Sequence, residues 1–205
     1  DVTIIAGPVS VECDNPRIKR IDVESAREMY DAAMTEFPSC DAAVLSAAVA
    51  DYRPAVQAGE KIKRKSESMV LELEANPDIA ASLGAVKREG QRLVGFALET
   101  ENGHENALGK LEKKNLDFIV LNSLKDEGAG FACDTNKVTV IDREGSCGYQ
   151  LKSKKDVAKD IVSHLSKLLL LIVMFLLPFS AKAEGEELNA TVTLNASKVQ
   201  GTNTD

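Results

Sequence analysis

Four short apolar runs, Val2 to Ala6, Ala42 to Ala50, Leu93 to Leu98 and Phe118 to Leu121, recur along the chain with helix-like stretches between them. A strand that is apolar on both sides must be covered on both faces, which nature achieves by laying helices over a parallel sheet. The alternation therefore predicts an α/β domain: a three-layer sandwich, Rossmann-like, with a mostly parallel sheet. The intervening segments agree. Ser25-Ala26-Arg27-Glu28 is a capping box, and Ala26, Met29, Tyr30, Ala33, Met34 and Phe37 follow at helical spacing until Pro38. Asn76-Pro77 is expected to cap a second helix whose Ile79, Leu83 and Val86 share a face until Gly90. A third helix is predicted over 105–114. Val138 to Ile141 and Tyr149 to Leu151, on either side of Asp142-Arg143-Glu144-Gly145, suggest a small C-terminal hairpin. A last helix is expected over 155–165.

The chain has a seam near its end. Lys167 to Ala183 reads KLLLLIVMFLLPFSAKA, a basic flank, an apolar run and small residues ending in Ala-Lys-Ala. That is the layout of a secretory signal peptide, and the run is short for an ordinary spanning helix. A buried terminal helix and a tail anchor are the other readings. Residues 184–205 are polar, with a Thr/Val alternation at Thr191 to Leu194 and sequons at Asn189 and Asn195. The expected organisation is a domain over 1–166, a signal-peptide-like segment over 167–183 and a tail over 184–205 that resembles the start of another protein.

Composition limits the function. The 205 residues are 44% apolar and 28% charged, enough for a real core, and 25 basic against 32 acidic residues give a net charge of -7. Such a surface argues against duplex nucleic acid or an anionic membrane as the main partner of residues 1–166. The four cysteines, at 13, 40, 133 and 147, form no C-x-x-C pair, and the two histidines, His104 and His164, offer little to a multi-His metal site or a His-dependent triad. The expectation is a cytoplasmic domain with free thiols. Its chemistry must rest on lysines, carboxylates, backbone amides and a bound ion.

In parallel sheets, ligands bind beyond the carboxyl ends of the strands. The loops after Ala6, Ala50, Leu98 and Leu121 are therefore the candidate site. Asp51-Tyr52-Arg53-Pro54 is followed by Lys61-Ile62-Lys63-Arg64-Lys65, four cations in five residues. This is either a flap that brings charge to a phosphate or a solvated loop. Lys110 and Lys114 share a helix face at i, i+4, beside Lys113, and an anion between them would relieve their repulsion; an ordinary solvated face is the alternative. Asp51 could orient a ribose or hold hydrated Mg²⁺, or simply form a turn. Asn76 to Ile79 offers helix N-terminal amides to a phosphate, although capping alone explains its composition. Phe96 reads as core.

Taken together, GPVS (7–10), RIDVESA (20–26), SAAVADYRP (46–54), KIKR (61–64), NPDI (76–79), VGFALET (94–100), KLEKKNLDFIVLN (110–122) and GAGF with DTNKV (128–138) resemble the bacterial phosphopantothenate–cysteine ligase, in order and over about 1–165. That family is the C-terminal half of a bifunctional coenzyme A biosynthesis protein, fused to a flavin-dependent phosphopantothenoylcysteine decarboxylase. The resemblance implies a ligase that joins 4'-phosphopantothenate to L-cysteine with CTP. The pantothenate carboxylate attacks the α-phosphate, pyrophosphate leaves, and the cysteine amine captures the acyl-cytidylate. It implies nucleotide-binding roles for Ser46, Ala47, Ala48, Asp51, Asn76, Pro77, Asp78, Ile79, Phe96, Lys110 and Lys114, and a catalytic role for the flap residue Lys61. It also implies Mg²⁺ as a cofactor and a homodimer, with FMN confined to the decarboxylase half, which these residues lack. The family's ligase domain begins with a further strand, a glycine-rich turn and an Asn/Ser-rich loop, and the quoted motifs start after them. A first βα unit is therefore expected to be missing. A non-catalytic nucleotide-binding or dimerisation fragment is the competing reading.

Overall fold

The computed structural model describes residues 1–9, 13–56, 58–60, 62–63, 68–99, 102–123 and 134–176. Lys61, Arg64, Lys65, the Gly128 to Phe131 motif, Cys133 and the tail beyond Leu176 lie outside them. In chain order the elements are β1 (Val2–Ala6), β2 (Ile18–Asp22), α1 (Ala26–Glu36), β3 (Ala42–Leu45), β4 (Tyr52–Pro54), β5 (Leu73–Ala75) and α2 (Ile79–Val86). They continue with β6 (Arg92–Glu99), α3 (Gly103–Lys113), β7 (Phe118–Ser123), β8 (Thr135–Asn136), β9 (Val138–Asp142), β10 (Ser146–Gly148), β11 (Lys152–Ser153) and α4 (Lys154–Leu176).

The main sheet has five strands in the order β10-β9-β7-β6-β3. β3, β6 and β7 run parallel, while β9 and β10 are antiparallel additions at one edge. β1 and β2 form a separate parallel pair. Alternation along each strand sends side chains to opposite faces, and each face has its own core. Leu93, Ala97 and Ile119 point toward α1, α2 and α3, where Ala33, Phe37, Leu83, Ala107 and Leu111 meet them. Val94, Phe118, Val120, Val138 and Val140 point the other way, onto Val157 and Ile161 of α4. The α/β layering read from the sequence is present.

Local detail explains the element ends. Ser25 Oγ accepts from the Glu28 amide at 3.2 Å, and Glu28 reaches back to the Glu24 amide at 2.7 Å, so the capping box closes one residue further out than its usual form. The N-cap of α2 is Asp78, which accepts from the Ala81 amide at 3.0 Å, rather than Asn76. β3 ends at Leu45 instead of running to Ala50, because its pairing with β6 stops there. The hairpin partner of β9 is Ser146–Gly148 rather than 149–151. Asp142 Oδ1 accepts from the amides of Glu144 and Gly145, at 2.8 and 2.9 Å, and this tight turn sends the chain straight back. α4 passes the 166/167 boundary without a break, and Leu168 packs on the second core. Among the described residues no helix is long and apolar enough to cross a membrane.

Candidate functional site

The carboxyl ends of β3 and β6 frame the site. After Leu45, residues Ser46, Ala47 and Ala48 leave the sheet as an exposed loop of small side chains, so a ligand can approach the backbone closely. The loop is tied down from a distance. Asn76 donates from its amide side chain to Ala50 O at 2.8 Å, and the Asn76 backbone N–H donates to Asp51 O at the same distance. The Asp51 carboxylate itself is exposed.

β4 and β5 then pair as a two-stranded antiparallel ribbon, with Arg53 opposite Glu74. Arg53 spans the base of this ribbon: one guanidinium nitrogen donates to Ala75 O and Asn76 Oδ1, each at 3.0 Å, and the other lies 2.7 Å from Glu74. The ribbon flanks the segment that contains Lys61, whose own position is outside the described residues. Arg53 and Glu74 thus tie together the two strands that bracket residues 55–72 in the sequence. Sequence reasoning noted Arg53 only as part of a run and missed Glu74.

Two lysines complete the arrangement, each held by a carboxylate. Lys114 Nζ lies 2.9 Å from Asp78 at the start of α2, and Lys110 Nζ lies 2.6 Å from Glu99 at the end of β6. Glu99 also accepts from the Asn106 side chain at 3.2 Å. The hydrogen bond from Lys110 is the main influence holding Glu99 below the usual glutamate value; partial burial opposes it and Asn106 reinforces it. For Asp78 partial burial is the largest single influence and works upward, but the Ala81 amide and Lys114 together outweigh it and hold the group below the usual aspartate value. Both carboxylates are anionic at neutral pH.

Glu99, Glu105, Asn106, Gly109, Lys110 and Lys113 line an open cavity beside α3. The approach of α2 to the end of α3 requires Gly84, since a methyl group there would stand 2.0 Å from Lys114 O. Asn115, at a φ of 50°, donates to Gly84 O at 2.9 Å and closes α3 at the turn where Lys114 sits. Packing between two helices therefore aims Lys114 at Asp78. Chemically, the ensemble offers small-residue backbone and two ammonium groups that an anionic ligand can draw from their carboxylates.

Comparison with known proteins then decides the family. Residues 1–169 match the family described as DFP, DNA/pantothenate metabolism flavoprotein C-terminal domain. The chain belongs to that family. Its DFP domain is 50% identical over 163 residues to a protein of an unknown prokaryotic organism named Cysteine/Cysteine sulfinic acid decarboxylase, covering 79% of this chain and 45% of that protein. It is 39% identical over 168 residues to the Bacillus subtilis (strain 168) Coenzyme A biosynthesis bifunctional protein CoaBC, covering 82% of this chain and 41% of that one. The chain thus spans less than half the length of these relatives. Among solved structures it is similar to the C-terminal domain of Coenzyme A biosynthesis bifunctional protein CoaBC, with 33% identity and a TM-score of 0.66, covering 82% of this chain and 74% of that one.

The DFP domain brings Asp51, Asn76, Pro77, Asp78, Ile79 and Lys114 into one contiguous region, with Ser46 to Ala48 at its edge and Lys110 beside Glu99. Phe96 is not gathered with the lysines: it packs half-buried against the α4 core, on the opposite sheet face from α3. Glu99 and Asn106 were missed from sequence. The available signal was a carboxylate at a strand's carboxyl end followed by a helix with lysines on one face.

Proposed function

We propose that this chain carries the CTP-dependent phosphopantothenate–cysteine ligase activity of coenzyme A biosynthesis, joining 4'-phosphopantothenate to L-cysteine through an acyl-cytidylate. The observation that carries this reading is the pairing of Lys110 with Glu99 and of Lys114 with Asp78, beside a small-residue strand-end loop. Each lysine is held by its carboxylate, so the position of its ammonium is fixed before a ligand arrives. Nucleotidyl transfer depends chiefly on positioning and on cations that neutralise charge developing on the departing pyrophosphate. Lys110, Lys114 and the flap residue Lys61 supply that charge. Ser46, Ala47 and Ala48 let the nucleotide lie against backbone. Phe96 and residues Asn76 to Ile79 keep the nucleotide-binding roles that the family resemblance implies.

Among the described residues no group of three or more His, Cys, Asp or Glu side chains forms a metal cage. The exposed Asp51 fits instead an Mg²⁺ held mainly by phosphate oxygens with one carboxylate, as this ion usually binds. When bound, the ion adds charge neutralisation at the phosphates. A homodimer is part of the proposal.

The test is a thermal-shift titration of the full chain with CTP and with ATP, each with Mg²⁺, alongside Lys61→Gln and Lys114→Gln. CTP should stabilise selectively, with each variant weakening binding by roughly tenfold, the scale of one charge-assisted contact. A cooperative melt that neither nucleotide shifts overturns the reading. The name of the relative at 50% identity favours a second reading, a decarboxylase. Carbon dioxide release from cysteine sulfinate by the chain would support that one instead.

A further inference from the structure

We propose that the C-terminal end of α4, with the apolar run Leu168 to Leu177, docks on a lipid bilayer and lies in the interface of one leaflet. α4 holds to its own domain along a single stripe. Val157, Ile161, Leu165 and Leu168, spaced by four, four and three positions, enter the second core, and among the described residues Leu168 is the last of α4 to do so. Up to Lys167, lysines, aspartates and serines separate these positions, as a helix covered on one face requires. The alternation then stops. The ten residues from Leu168 to Leu177 include no polar side chain, while the backbone of α4 continues as helix to Leu176. Leu170, two positions beyond Leu168, is already 54% exposed.

Length and charge select the partner. Ten residues make about 15 Å of helix, half of the roughly 30 Å of a hydrocarbon core. Runs of this length belong in a protein core, in a signal peptide or at a membrane interface. The core setting fails at Leu170, which the domain leaves open. A signal peptide works from the head of its chain, and here a folded domain lies ahead of the run. A protein groove covers one stripe of a helix and leaves polar residues on the other, whereas lipid covers a helix from every side. The face of α4 that leads to the run suits a headgroup layer. Lys155, Ala158, Lys159, Val162 and Ser163 line one shallow cavity there, and Val162 is 58% exposed. From Lys154 to Lys167 the helix holds four lysines against two aspartates. Both aspartates are already engaged, Asp156 by Lys159 at 2.7 Å and Asp160 by Lys152. The exposed Lys155 and Lys167 can therefore extend their ammonium groups to lipid phosphates while their stems lie along the apolar layer. The net charge of -7 keeps the remaining surface off an anionic leaflet, so contact is confined to this end. The inference is independent of the nucleotide reading.

The chain has no tryptophan, so Leu170→Trp places a single reporter in the run. The full chain with this substitution is mixed with vesicles of phosphatidylcholine, alone or with phosphatidylglycerol, that carry bromine at defined acyl depths. Emission should shift to the blue and be quenched most by bromine near the headgroup end of the acyl chain. The parent chain should co-float with both kinds of vesicle, about fivefold more strongly with the anionic ones, the scale of one surface lysine. Leu170→Asp combined with Met174→Asp should lower co-flotation at least about tenfold and leave the melting temperature unchanged. Lys155→Glu combined with Lys159→Glu should remove the preference for anionic vesicles and leave flotation on phosphatidylcholine as it was. The proposal is overturned if neither kind of vesicle carries the chain, if the aspartate pair floats like the parent, or if bromine at the bilayer centre quenches most. It is overturned equally if emission is already blue without vesicles because a concentration-dependent dimer covers the run.

Discussion

Val44 and Val94 are direct neighbours in the parallel ladder between β3 and β6 and point to the same face of the sheet, yet Val44 is 44% exposed and Val94 0%. The residue type and the face are the same; the two differ in strand and in cover. α4 packs on residues of β6, β7 and β9, and no residue of β3 joins the core they form. Apolar strand sequence therefore marks a position to be covered, whereas the covering helix decides how much stability that position returns. The strands divide into a sealed half around Phe118 and an open half that takes in Val44 of the main sheet and Ile4 of the separate β1–β2 pair.

The two valines give the largest measurable contrast. Val94→Ala should cost roughly 2–3 kcal/mol in urea denaturation, because it removes buried methyl groups and leaves a cavity, while Val44→Ala should cost less than about 1 kcal/mol. Equal costs would break the distinction between the halves.

Gly84→Ala probes the packing on the opposite face, where α2 meets α3 beside the candidate site. The added methyl meets the Lys114 carbonyl at 2.0 Å, backbone against backbone, so α2 and α3 must part. A loss of about 1–3 kcal/mol is expected. Nucleotide binding should weaken with it, since Lys114 and Asp78 move apart. A Gly84→Ala protein of unchanged stability would show that the helices separate freely.

The smallest effect is expected in acid. Glu99 titrates below its unfolded value, chiefly because Lys110 donates to it, so its stabilising contribution is complete above the unfolded value and is lost as pH falls through the folded one. Unfolding followed against pH should show a shallower decline for Glu99→Gln than for the parent below about pH 5, and the same dependence above it. Identical acid slopes would mean that the pair with Lys110 adds nothing to stability.

The legibility of the chain followed the range of the interactions. The capping serine at 25, the helix spacing of Ala33 and Phe37, and the apolar runs of β6 and β7 are local signals, and the sequence reading found them. Asn76 misled because an Asn-Pro pair looks like a cap. Its side chain instead binds Ala50, 26 positions earlier, and Asp78 takes the cap. The second hairpin strand was misplaced toward Tyr149 because the aromatic residue reads as strand, while the turn at Asp142 leaves no slack before Ser146. Glu99 was missed because its meaning depends on Lys110, which only helix placement supplies. Lys61 lies outside the described residues and remains a proposal from resemblance.

By itself the sequence determined the layer architecture and the order of its strands and helices, because side-chain periodicity and caps act within a turn or a strand. The tertiary structure decided which carboxylate holds which lysine and which face of the sheet stays open. Lys114 and Asp78 are 36 positions apart. Their meeting depends on the missing side chain of Gly84, just as the exposure of Val44 depends on which strands α4 packs against; both are properties of packing between distant segments, and no local pattern encodes them.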